Sequence, residues 1–161
     1  MPISPEVIDL ENRHNQVNGE PTLVTAYEIL KEQWQSGDQD RDVGLHLMFL
    51  AWYGQIEPGQ STGFTDTYEE QRELMKTLTD VHAYFEPGIR QDAEMLYVVG
   101  LAAELFCFMF PYDASIWERR GIEYQKLYRA LSPNGIDPEI FRGRGYYGDY
   151  YGSQAKVENG Y

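Results

Sequence analysis

The chain has 161 residues, of which 42% are apolar and 14% aromatic, enough for one domain with its own core and too many for a disordered chain. Its 26 acids against 13 bases give a formal charge of −13, a field that repels phosphate backbones and anionic lipid. Nucleic acid and membrane surfaces are therefore disfavoured as partners, and a basic protein is favoured.

The acids are unevenly placed. Met1 to Asp113 holds 20 acids and 6 bases, a net of −14, whereas Ala114 to Tyr161 holds 6 acids and 7 bases. One cysteine, Cys107, allows no intrachain disulfide. Met1 to Leu10 carries Pro2, Pro5, Glu6 and Asp9 and lacks the basic and apolar regions of a signal peptide. These features predict a cytoplasmic protein.

A short helix is predicted between Pro5 and Arg13. From Pro21 to Ser36, Leu23, Tyr27, Leu30 and Trp34 fall on one face of a 3.6-residue period, with Gly37 as the stop. A second long helix spans Gln39 to Gly54, started by Asp38 or Asp40. Its middle, Leu45 to Tyr53, is apolar almost all round, which marks a buried central helix too short to cross a bilayer. His46 on that helix reads as a core histidine.

Glu57 to Gly63 reads as loop. A third long helix begins near Asp66, where Asp66 with Glu69, or Thr67 with Glu70, has capping-box spacing. Leu74, Leu78, Val81 and Phe85 form its stripe, and Pro87-Gly88 breaks it. The fourth spans Gln91 to Met109, with Pro111 as its end. The fifth runs from Ala114 to Leu131 behind Asp113, burying Trp117, Tyr124, Leu127, Tyr128 and Leu131 and exposing Arg119, Arg120, Lys126 and Arg129. Asp137-Pro138 starts a short turn anchored by Phe141.

Phe141 to Gly152 holds four Gly, four Tyr and two Arg in twelve residues and is read as irregular. The last nine residues read as a frayed tail. Pro21–Gly54 and Asp66–Met109 echo each other loosely: Trp34, Gly37, Asp42 and Leu45 precede Tyr84, Gly88, Asp92 and Leu96 by 50 or 51 positions. The expected fold is thus all-α, a right-handed stack of antiparallel helical hairpins. About five long helices would form one domain over 1–152, with a Gly/Tyr-rich irregular segment and a tail over 153–161.

Chemistry is sparse. Asp38, Asp40 and Asp42 alternate as in a calcium loop, but Val43 and Phe49 stand where Gly and Glu are required. No His-x-x-x-His pair, phosphate loop, nucleophile elbow or Cys-x-x-Cys occurs, so no metal or cofactor is expected. Cys107 lies among phenylalanines, which suits an inert thiol.

The sequence therefore predicts a non-enzymatic acidic binding module, in its most concrete form an immunity-type antagonist of a basic toxin or other protein. The candidate contact residues are Asp38, Asp40, Asp42, Glu69, Glu70 and Glu73. Arg142, Arg144, Tyr146, Tyr147, Tyr150 and Tyr151 join them as a binding loop or as a structural cap over the helices. The alternative is a small enzyme or small-molecule binder with a cleft near His46, Trp52, Tyr53 and helix carboxylates.

Overall fold

The computed structural model describes residues 2–14, 20–57, 59–110 and 113–160, and among these it contains helices and no strand. In chain order they are α1 (Pro5–His14), α2 (Leu23–Gln35), α3 (Arg41–Ile56), the single turn α4 (Gly59–Thr62), α5 (Tyr68–Phe85), α6 (Ala93–Leu105), α7 (Ala114–Leu131) and α8 (Gly145–Glu158). Short 3-10 turns cover Glu86–Gln91, Cys107–Met109 and Pro138–Phe141. The fold is all-α, as the helical periodicity predicts. Pro58, in the expected loop, and Pro111, the expected stop, lie outside the described residues.

The helix starts follow from short polar side chains. Asp40 accepts the Asp42 N–H at 2.8 Å, Thr67 the Glu70 N–H at 3.3 Å, Asp92 the Met95 N–H at 3.0 Å and Asp113 the Ser115 N–H at 2.8 Å. Each bond satisfies one of the amides that the first turn leaves without a partner. Of the two candidate caps for α3, Asp40 serves. Asp38 instead accepts from the Gln33 side chain at 2.8 Å.

Every residue of α3 from Val43 to Gly54 is buried. An all-round apolar helix needs neighbours on several faces, and α2, α5 and α8 all pack against it. α1 rests on α2 and α8, while α6 and α7 form the most extensive helix pair. Glycine makes that pairing close. A Cβ on Gly121 of α7 would stand 2.5 Å from the Glu104 amide nitrogen of α6.

Two expectations are corrected. The fourth long helix stops at Leu105 and gives way to a 3-10 turn rather than continuing to Met109. The Gly/Tyr-rich segment is not irregular: α8 occupies Gly145–Glu158, so Ser153 to Glu158 of the expected tail are helical, while Tyr161 lies outside the described residues. Glycine disfavours helix, and tertiary packing overrides that preference here. Tyr147 and Tyr151, one turn apart, point into the core at 0% and 1% exposure. Gly148 and Gly152 lie against the Pro138–Phe141 turn, where a Cβ on Gly148 would overlap the Phe141 carbonyl oxygen. The composition thus describes a helix with a tyrosine face and a glycine face.

Candidate functional site

α2 and α5 both pack on α3 and leave an open groove between them. Its wider lobe, about 770 Å³, is lined by Glu28, Glu32, Glu69, Glu70 and Glu73, with Lys31 and Tyr27. Helical geometry builds two rails. Glu28 and Glu32 are one turn apart on α2, as are Glu69 and Glu73 on α5. Tyr27 is almost fully buried beneath them, and its hydroxyl meets Thr77 Oγ1 at 2.7 Å across the gap. Burial, with Glu70 nearby, pushes the Tyr27 phenol up to about 12, against a smaller opposing effect of the Thr77 bond, so it stays neutral.

Lys31 reaches from α2 to an ion pair with Glu73, its side chain 24% exposed and its Nζ 5.9 Å from the centre of the Tyr27 ring. Beyond this bridge a second lobe of about 420 Å³ is lined by Trp34, Gln39, Lys76 and Asp80 among others. Trp34 meets Tyr84 edge-on at 5.2 Å, and Tyr84 is half exposed. At the other end of α5, Tyr68 is 73% exposed beside Arg72. The groove is therefore an acidic trough, and the exposed Tyr68 and Tyr84 at the two ends of α5 lie outside its lining.

A second polar system lies where α3, α6 and α8 begin. Glu11 of α1 is fully buried. It pairs with His46 Nδ1 at 2.6 Å, and its other oxygen accepts the Tyr147 N–H at 2.9 Å. A carboxylate from α1 thus caps the first turn of α8, whose own cap position, Arg144, supplies no side-chain bond. Tyr147 lies over the His46 ring at 4.5 Å and donates its hydroxyl to Glu94 at 2.7 Å. Glu94 also receives Arg144 at 2.5 Å and Arg41 at 2.9 Å. Arg41 grips Asp92 through two nitrogens at 2.6 and 2.8 Å, and Arg144 reaches Asp42 at 3.0 Å. These polar groups are mutually paired and join four helices. None of Glu11, His46 and Glu94 lines either lobe of the groove.

The structure therefore divides the predicted contact residues. Glu69, Glu70 and Glu73 line the groove. Asp40 is a helix cap, and Asp42 and Arg144 belong to the partly exposed ion-pair clasp. Arg142 pairs with Glu139 at 2.8 Å on the surface. Tyr147 and Tyr151 cannot contact a partner in this fold because both are buried. Tyr146 and Tyr150 are half-buried over Phe49, Trp52 and Tyr53, and Tyr146 bonds Tyr53 hydroxyl to hydroxyl at 2.9 Å. Tyr147 and Tyr151 thus serve the core, and Tyr146 and Tyr150 pack over it while keeping part of their surface exposed. The alternative cleft is likewise filled: His46, Trp52 and Tyr53 are 1%, 2% and 6% exposed, and Trp52 donates to the Tyr151 hydroxyl at 3.1 Å.

Sequence reading missed Tyr27, Glu28, Lys31 and Glu32 as lining residues. A signal was present. An all-apolar α3 requires flanking amphipathic helices, and the outer faces of α2 and α5 both repeat Glu one turn apart. Among the described residues no group of three or more His, Cys, Asp and Glu side chains is placed to hold a metal ion. Among them, too, no helix is long and apolar enough to cross a membrane. No family model matches the chain, no curated protein matches it, and no solved structure matches it.

Proposed function

We propose that this protein is a non-enzymatic binding module whose α2/α5 groove receives a lysine-rich segment of a basic protein partner. The observation that carries the reading is the pair of facing carboxylate rails, Glu28 and Glu32 against Glu69 and Glu73, along an open trough of about 770 Å³. Walls of low dielectric around like charges focus a negative potential, which draws a cation in and orients it. Trp34, which lines the second lobe, adds the kind of side chain that anchors interfaces. An immunity-type antagonist, holding a basic segment of a toxin in this trough, is the concrete form of the reading. A cytoplasmic location belongs to the same proposal.

The test is calorimetric titration of the full chain with a decalysine peptide. Binding that weakens with salt, and that Glu28→Gln with Glu69→Gln reduces more than Asp149→Gln with Glu158→Gln on α8, supports the groove. Equal losses from the two pairs would reduce the effect to net charge and remove it. Spermine binding as tightly as decalysine would replace the peptide by a free polyamine.

A further inference from the structure

Among the described residues that line the wider lobe, Lys31 alone carries positive charge. Its ammonium is already seated on a groove carboxylate, Glu73, beside the Tyr27 ring. A carboxylate next to an aromatic ring is the chemistry that receives a lysine ammonium. The wider lobe holds one, and it belongs to the chain itself. The Lys31 stem also spans the gap between α2 and α5, and Lys31 and Glu73 line both lobes, so this pair is the partition between them.

We propose that Lys31 is a built-in surrogate for the partner's lysine, a strut that a basic segment displaces from Glu73, joining the two lobes into one continuous trough. The inference rests on the docking reading above. The exchange replaces one ammonium on Glu73 by another and returns Lys31 to water, so charge at the carboxylate is conserved. A partly exposed ion pair of this kind contributes little, which lets a cationic ligand open it. Neutral and acidic segments carry nothing to replace the ammonium, so the strut also selects against them. Burial, and secondarily Lys76, hold the Lys31 ammonium below its usual range, which favours its release.

The experiment compares decalysine binding to wild type, Lys31→Met and Lys126→Met. Methionine keeps an unbranched stem, and Lys126 lies on the exposed face of α7, so both variants change net charge equally. Lys31→Met is expected to bind about two- to fivefold more tightly than wild type, the yield of removing one such pair, and Lys126→Met is expected to gain less. Equal gains, no gain, or weaker binding by Lys31→Met would overturn the strut while wild-type binding keeps the docking reading. Absence of wild-type binding would instead overturn that reading and the strut with it. Thermal melts confirm folding, and Lys31→Gln takes the place of a methionine variant that melts below the assay temperature.

Discussion

Tyr97 and Tyr147 bury equal phenols in one core and differ in what their hydroxyls meet. The Tyr97 hydroxyl has no hydrogen-bond partner among the described residues, whereas Tyr147 donates to the Glu94 carboxylate. An unpaired buried hydroxyl costs about 1–3 kcal/mol, and a bond to a charged acceptor contributes about as much. Tyr97→Phe is therefore expected to leave the melting midpoint level or raise it, and Tyr147→Phe to lower it. Equal losses would mean that Tyr97 has a partner. His82 gives a pH test. It is 3% exposed, with Nε2 2.8 Å from the Tyr124 hydroxyl and its ring against Trp117. Burial, and then Arg120, push it down to about 4. Below about 6.5 the unfolded chain gains a proton that the folded chain refuses until about 4, so stability falls as pH drops through that window, by up to roughly 3 kcal/mol. Aspartates held low in the fold, such as Asp92 with Arg41, lose their contribution only in stronger acid. Melting curves between pH 7 and pH 4 should therefore flatten in His82→Gln, and an unchanged slope would assign the window to other groups.

At the level of helices, backbone approach sets what a side chain may be. A methyl on Gly121 would press on the α6 backbone at Ala103 and Glu104, which cannot rotate away as a side chain can. Alanine is the better helix former by about 1 kcal/mol, yet Gly121→Ala should cost about 1–3 kcal/mol net through overpacking. Gly88, where a Cβ would meet nothing within 4 Å, should tolerate alanine within about 0.5 kcal/mol. Thermal melts of the two variants check this, and similar midpoints would show that α6 and α7 can part freely. The same contrast explains what the sequence makes legible. The bounds of α7 are readable because Asp113, a long apolar stripe and Ser132-Pro133 all point to them, although Leu131, expected on the buried face, is 49% exposed at the helix end. Those of α8 are not, since glycine and tyrosine carry weak helical preference and its order comes from packing on Phe49 and Trp52, remote in sequence, and on the neighbouring Pro138–Phe141 turn. Glu11 was hidden for a related reason. Only the polar His46 on an otherwise apolar α3 signalled that a buried partner was needed.

Across the whole molecule, the acidic excess is a division of labour that composition cannot resolve. Asp40, Asp42, Asp92 and Glu94 stand in the acidic two thirds of the chain, yet they are spent on caps and on the Arg41 and Arg144 clasp. The trough collects its carboxylates from α2 and α5, about forty residues apart, so it exists only once both helices lie on α3. In stopped-flow association with fluorescently labelled decalysine, raising ionic strength from 0.01 to 0.15 M shortens the screening length from about 30 to about 8 Å. Steering acts through the encounter, so the association rate should fall about tenfold or more while dissociation changes less. Glu28→Lys and Glu69→Lys, on opposite rails, should slow association in the same way and leave the melting midpoint nearly level. Asp40→Lys should behave oppositely, losing a cap worth about 0.5–2 kcal/mol and lowering the midpoint. Its effect on the encounter should be smaller, because Asp40 does not line the trough. Association that slows equally in all three variants would make the acidity a property of the surface at large, and the groove would lose its claim to be the site.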